Sequence, residues 1–413
     1  MRLFHVLCLV LCLSNYVYGE LVFVSLLYRH GDRTPINFYP NDPYKNASYW
    51  PVGPGQLTNV GKLQHYKLGQ WFGERYRDLI GDSYSKENVY VMSTDVDRTL
   101  MSAEANLAGF FPPKGDQVWD PKIKWQPIPV HTMPEKLDKV LSMKKPCPQY
   151  DVEKRKYMNS PEIQQVLAKY RPLFQYVSQH AGEPVETITD LEFIHNTLFI
   201  EEINNLTLPE WTHPIYPEPL RTVAAFSFAI PARTPALKRL KAGPLVEDIV
   251  KHMVAKSKDK LKKKKIWIYS AHDTTVANLL NTLNIFDLHC PPYTAAVMIE
   301  LHQKDDEYYV NILYKNSTSV PPYQLSIPGC DFDCPLDDFV SLTQDVVLTD
   351  TQWEVACHAH HFLDLIPTSD EDNSFATIVL LTMGVLLTLL LVSLVFYVHK
   401  QWRHPSSHMY QRI

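Results

Sequence analysis

The sequence predicts an α/β protein: a mixed, mostly parallel central sheet flanked by helices, a smaller and largely helical cap, and one transmembrane helix. Three short apolar runs, at residues 21–28 (LVFVSLLY), 88–92 (NVYVM) and 266–270 (IWIYS), each end in polar residues, as buried strands of an open sheet do. The stretch 127–240 has helical pattern broken by many prolines, which suits an irregular cap beside that sheet. Residues 375–398 carry no charge, and at about 1.5 Å per residue they reach across a hydrocarbon core of roughly 30 Å.

Taken in chain order, Met1 and Arg2 precede an apolar stretch to Leu13, and Val17 and Gly19 stand where signal peptidase prefers small residues. Residues 1–19 are expected to be a signal peptide, with the ectodomain spanning 20–366. A helix over 58–77 would bury Val60, Leu63, Leu68, Trp71 and Phe72, and further helices are expected at 98–111 and 274–283. Seven lysines between Lys256 and Lys265 read as a solvated helix end before the strand at Ile266. A linker at 367–374 leads to the span, and a tail follows from 399 to 413. Asp370, Glu371 and Asp372 lie before the span and His399, Lys400 and Arg403 after it, which predicts a cytosolic C-terminus.

The formal net charge of −5 lacks the basic excess that a nucleic-acid partner demands. Sequons at Asn46, Asn205 and Asn316 predict glycosylation on a lumenal or extracellular surface. Five cysteines remain after the signal peptide, Cys147, Cys290, Cys330, Cys334 and Cys357, so at least one is free, intermolecular or modified. Cys330 and Cys334 favour a local disulfide over half of a zinc site. His358, His360 and His361 lack an acidic or thiolate partner other than Cys357, and no metal site is expected there.

The chemistry concentrates at Arg29-His30-Gly31-Asp32-Arg33-Thr34-Pro35. An imidazole between two guanidinium groups makes little sense in a core without an anion, because charged arginine is costly to bury. A bound phosphate dianion resolves the conflict: Arg29 and Arg33 offer forked donors, and a neutral His30 can attack phosphorus. The strand at 88–92 delivers STD and then Arg98, while the strand at 266–270 delivers His272 and Asp273. Ligands of open α/β sheets bind beyond such strand ends, so one pocket can collect all three loops.

This heptapeptide resembles the RHGxRxP signature of the histidine phosphatase superfamily, in its acid phosphatase and phytase branch. The likeness continues through Gln56-Leu57-Thr58, residues 93–103 (STDVDRTLMSA), residues 125–131 (WQPIPVH) and Ala271-His272-Asp273. It covers nearly the whole ectodomain and is nearest to acid phosphatases of the prostatic and lysosomal type. The resemblance implies hydrolysis of phosphate monoesters through a phosphohistidine on His30, with no cofactor or metal. It makes Asp273 the proton donor, and Arg29, Arg33, Arg98 and His272 the phosphate-binding groups. Asp273 can also cap the helix that follows it. By the same resemblance Cys147 pairs with Cys357 and Cys330 with Cys334. The usual partner of Cys290 is replaced by Ile200, which leaves that thiol free. Homodimerisation is implied in the same way.

Tyr410-Gln411-Arg412-Ile413 ends the tail in a YxxΦ pattern, whose phenol and aliphatic chain fit separate pockets of a clathrin adaptor. Tyr410 and Ile413 therefore predict a lysosomal or late-endosomal membrane, reached by way of the plasma membrane. The alternative is the cell surface, or release after cleavage in the linker.

Overall fold

Strand β1 (Glu20–Arg29) is buried from Phe23 onward, and its alternate side chains enter two different cores. Phe23 and Leu27 pack on one face of the sheet, Val24, Leu26 and Tyr28 on the other. Burial on both faces explains why this run reads as continuous apolar sequence. The computed structural model describes residues 19–316, 320–358 and 373–403. The signal-peptide residues 1–18, the Ser317 and Thr318 positions of one sequon, His360, His361, the linker up to 372, and Tyr410 and Ile413 in the tail lie outside them.

After β1 come α1 (Asn59–Arg75), the short α2 (Arg77–Ile80), β2 (Val89–Ser93) and α3 (Asp97–Phe110). The helical layer follows as α4 (Pro148–Met158), α5 (Pro161–Ala181), α6 (Ile188–Ile203), α7 (Leu220–Ala229), α8 (Pro235–Lys241) and α9 (Gly243–Ser257). The chain then returns to the sheet through β3 (Ile266–Ala271), α10 (Asp273–Thr282), β4 (Ala296–Lys304), β5 (Glu307–Lys315), β6 (Tyr323–Leu325) and β7 (Cys334–Pro335). Helices α11 (Leu336–Thr343) and α12 (Asp350–His358) close this unit. A separate unit, Ala359–Ile413, holds α13 (Asn373–Arg403), whose Thr382–Lys400 stretch is long and apolar enough to cross a membrane.

The strand order β2-β3-β1-β4-β5-β6, with β7 also on β5, corrects one expectation. Only the β2/β3 and β3/β1 joins are parallel; every join from β1 outward is antiparallel. The sheet is thus mixed but mostly antiparallel: two of its six joins are parallel and four are not. Strands β4 and β5 are linked by a tight turn at Asp305-Asp306, and a connection that short permits only antiparallel pairing. In the parallel half, Arg29 stands beside Ala271 and Ser93 beside Ser270, so three carboxyl ends finish in line.

Helix α1 lies within the expected 58–77, capped by Thr58 Oγ1, which accepts from Gly61 N at 3.1 Å. Its buried face differs from the expected one: Gly61, His65, Leu68, Gly69 and Phe72 are inside, whereas Val60 and Leu63 are more than half exposed. Backbone contact decides the rotation. A side-chain carbon at Gly61 would lie 2.3 Å from Asp32 O, and one at Gly69 would lie 1.9 Å from Asn106 O in α3. The helical layer begins only at Pro148. Residues before it run along the sheet edge, where Ser93 N donates to His131 O at 2.8 Å and His131 bridges to Met92. The expected disulfides Cys147–Cys357 and Cys330–Cys334 are present and Cys290 is a free thiol. The lysine run is less free than expected, since Lys256 Nζ donates to Lys262 O and Lys264 O, and Lys264 Nζ to Lys86 O.

A buried carboxyl pair ties the loop after β1 to α6. Glu201 is fully buried and Asp42 nearly so; both oxygens of Glu201 and Oδ2 of Asp42 find no donor but the partner's own proton. Burial and then Asp42 push Glu201 up to about 9, and burial raises Asp42 as well. A carboxyl raised on folding stabilises fully below its unfolded value, and that stability is lost as pH rises from about 4.5 toward about 9. Glu201→Gln supplies a permanent donor. Its thermal unfolding temperature should exceed that of the parent at pH 8 by several degrees and match it near pH 5, in melts followed by circular dichroism. An equal shift at both values would show that the pair does not titrate.

Candidate active site

The loop leaving β1 is fixed through its backbone. His30 N donates to Ala271 O at 3.0 Å, Thr294 N to His30 O at 3.2 Å, Gly31 N to Ser102 Oγ at 3.1 Å and Asp32 N to Gln64 Oε1 at 2.8 Å. His65 of α1 donates from Nε2 to Arg29 O at 3.0 Å, and burial holds its ring down to about 3, so it is a neutral internal strut. Gly31 admits no side chain, because a carbon there would lie 2.4 Å from Gly61 O.

On this frame Arg29, His30 and Arg33 are all buried, and Arg98 is half-buried on the first turn of α3. The Nε groups of Arg29, Arg33 and Arg98 have no hydrogen-bond partner, so three guanidinium groups keep unused donors. Arg33 is aimed by Thr34 O and by Asn196 Oδ1 of α6, each at 3.1 Å. Arg29 donates to Pro291 O, lies 4.2 Å from the centroid of the Tyr293 ring, and pairs with Asp273 Oδ2 at 3.0 Å.

His30 Nδ1 sits 2.8 Å from Gly31 O. A carbonyl can only accept, so Nδ1 carries the hydrogen and Nε2 keeps its lone pair. Burial, followed by Arg29, Arg98, Arg33 and His272, lowers the ring's proton affinity well below the usual histidine value. The site thus favours the neutral imidazole. Its centroid lies 5.7 Å from that of His272.

His272 is pushed down to about 3 by burial and then by Arg98. Thr99 Oγ1 lies 2.7 Å from the acceptor Val96 O and 2.7 Å from Thr94 Oγ1, which in turn lies 3.0 Å from His272 Nε2. Hydrogens therefore run from His272 Nε2 through Thr94 and Thr99 to the carbonyl. Asp273 opens α10 from inside its first turn, accepting from Thr274 N at 2.8 Å, while His272 holds the N-cap position. Burial raises Asp273, but Arg29, Arg33 and His272 outweigh it, and the net shift is downward.

All six residues that the sequence marked thus meet in one place. Sequence reasoning missed Thr94, though it lay inside the quoted STD, and His65, Asn196, Tyr293 and Glu192, which no motif announced. Beside Arg29 and Asp273 opens a cavity of about 680 Å³, walled by α6, α7 and the loop at Leu288–Pro292. Cys290 faces it, its thiol pushed up to about 12 by burial and then by Glu192.

A family profile described as "Histidine phosphatase superfamily (branch 2)" matches residues 20–315, from β1 to the end of β5. The prostatic acid phosphatase of Bos taurus is 39% identical over 347 residues, 83% of this chain and 89% of that protein. The lysosomal acid phosphatase of Homo sapiens is 37% identical over 394 residues, 94% of this chain and 90% of that one. Among solved structures, Hafnia alvei phytase in complex with tartrate shares the fold at a TM-score of 0.62 and 19% identity, covering 83% of this chain and 99% of its own.

The cysteine arrangement can be checked directly. Alkylation of folded, unreduced protein should tag Cys290 alone, and slowly at pH 8 because so little thiolate is present. Mass spectrometry that finds Cys290 in a bridge, or any of the other four tagged, would refute the pairing.

Proposed function

The chain belongs to the histidine phosphatase superfamily, in its second branch, and is an acid phosphatase working through phosphohistidine; from that premise we propose the role of each residue. The observation that carries the proposal is the bond from His30 Nδ1 to Gly31 O, which leaves Nε2 bare beneath three guanidinium groups. Nε2 attacks phosphorus in line with the ester oxygen; the N–P bond forms as the P–O bond breaks. Arg29, Arg33 and Arg98 hold the phosphoryl oxygens and supply the charge stabilisation that a metal gives elsewhere. His272 contributes a further hydrogen bond once the dianion raises its proton affinity.

Asp273 protonates the departing oxygen, then takes a proton from the water that cleaves phosphohistidine. In the resting site Arg29 holds Asp273 ionised. A phosphate dianion seated on Arg29, Arg33 and Arg98 cancels that positive field, so proton affinity returns to Asp273 as substrate arrives. An acidic medium suits both partners: the acid can be protonated while His30 stays neutral.

The same reading extends to the cellular setting. Residues 1–19 act as a signal peptide, residues 375–398 within α13 as a type I anchor, and Asn46, Asn205 and Asn316 as glycan carriers; Asn46 and Asn205 are exposed. The resemblance to lysosomal acid phosphatases and the Tyr410–Ile413 pattern support delivery by a clathrin adaptor to lysosomes or late endosomes. The likeness to that group also supports a homodimer, which the solution mass of the purified protein would test.

His30→Ala should abolish hydrolysis of 4-nitrophenyl phosphate near pH 5, and acid-labile label trapped on the parent should sit on histidine. Asp273→Asn should slow alkyl phosphates by about 10²–10⁴-fold and 4-nitrophenyl phosphate far less, since nitrophenolate leaves without a proton. Label on another residue, or equal losses on both substrates, would remove these assignments. In cells, Tyr410→Ala should move the protein from lysosomes to the surface; unchanged pools would show that the tail is not the address.

A further inference from the structure

With the phosphoryl group held by the three arginines, the cavity beside Asp273 receives whatever the phosphate is attached to. Its lining is apolar at Phe199, Tyr216, Phe228 and Leu288. Among the described residues that line it, the one lysine or arginine other than Arg29 is Arg221. That guanidinium is already engaged: its Nε donates to Glu218 Oε1 at 2.7 Å, and Glu218 also accepts from Thr222 Oγ1 at 2.6 Å. Glu202 stands at the exposed rim, where its carboxylate accepts from Tyr216 Oη at 2.6 Å and has no cationic partner in the wall.

The remaining titratable groups leave this balance negative. His195 is held down to about 4 by burial and then Arg221, so it is not a cation near pH 5.5; burial also lowers His289, whose ring nitrogens are engaged with Asp287 O and Tyr314 Oη. Glu192 is pushed up to about 7 by burial and then Asp273, and keeps its proton there. The acidic side chain left without a cationic partner on the leaving-group side is therefore Glu202, opposite the strongly positive phosphoryl side.

We propose that this cavity selects phosphate monoesters whose leaving group is partly apolar and either uncharged or cationic, and rejects those whose leaving group carries a further phosphate or carboxylate. The inference rests on the acid phosphatase reading and concerns the other half of the same site. An anionic leaving group would bring its charge against Glu202 in a partly desolvated space with no free cation to receive it. A cationic one gains Glu202 and the faces of Tyr216 and Phe199.

Three phenyl phosphates with closely similar phenols separate charge from leaving-group chemistry: tyramine O-phosphate, 4-methylphenyl phosphate and 3-(4-phosphonooxyphenyl)propanoate. Assayed with the full chain in detergent at about pH 5.5, kcat/KM should be lowest for the propanoate, by about tenfold against tyramine phosphate. Glu202→Gln, which can still accept from Tyr216, should shrink that ratio, and Glu202→Lys should invert it. A propanoate as good as the tyramine ester, or ratios indifferent to both substitutions, would overturn the proposal while 4-nitrophenyl phosphate is still hydrolysed. Loss of 4-nitrophenyl phosphate turnover in the parent chain would instead remove the phosphatase reading, and this inference with it.

Discussion

Two backbone hydrogen bonds, from His30 N to Ala271 O and from Thr94 N to Ser270 O, keep three parallel strand ends level. Side chains on a strand alternate faces, so a slip of one residue in either pairing would turn His30 or Thr94 out of the pocket. The level ends also place α3 and α10 with their first turns facing the same space, and these carry Arg98 and Asp273. Everything chemical in the molecule depends on that register. The close passage of α1 over Gly31 and Asp32 protects it, since a helix lying directly on the backbone leaves the loop no room to shift.

The charges are arranged as a resting balance. Three guanidinium groups in a largely buried space would repel one another, and Asp273 partly neutralises them through Arg29 while Tyr293 covers the Arg29 plane. In the proposed mechanism substrate displaces a carboxylate that the protein itself provides, and that carboxylate is the group that next holds a proton. On that reading one ion pair links phosphate binding to the state of the acid.

What the sequence disclosed follows from which physical signals it carries. Strands β1 and β3 were legible because burial on both faces writes an almost unbroken apolar run, β2 because its edge position still leaves an apolar stretch, and the RHGDRTP loop because two arginines beside a histidine have no comfortable place in an ordinary core. The face of α1 was misread because its contacts run through Gly61 and Gly69, and glycine adds nothing to an apolar pattern. The antiparallel part of the sheet escaped because no strand was read between residue 283 and the membrane span. Least legible was the leaving-group cavity. Glu192, Asn196 and Glu202 lie on α6, remote in sequence from the motif they face, and only the packing of the helical layer brings them there.

The bond between Cys147 and Cys357 closes a separation of 210 residues, and this sets an order of events during synthesis. A ribosome adds about 5–20 residues per second, so in an oxidising compartment Cys147 waits on the order of 10–40 s for its partner to be made. Cys290, Cys330 and Cys334 all emerge in that interval. Cys330 and Cys334 can consume one another almost at once, being four residues apart. Cys290 has no such neighbour, and it is made before Cys357. Any bond between Cys147 and Cys290 made in that interval would have to be exchanged before Cys147 could close on Cys357, so the order of synthesis, and not only the final geometry, bears on the native pairing.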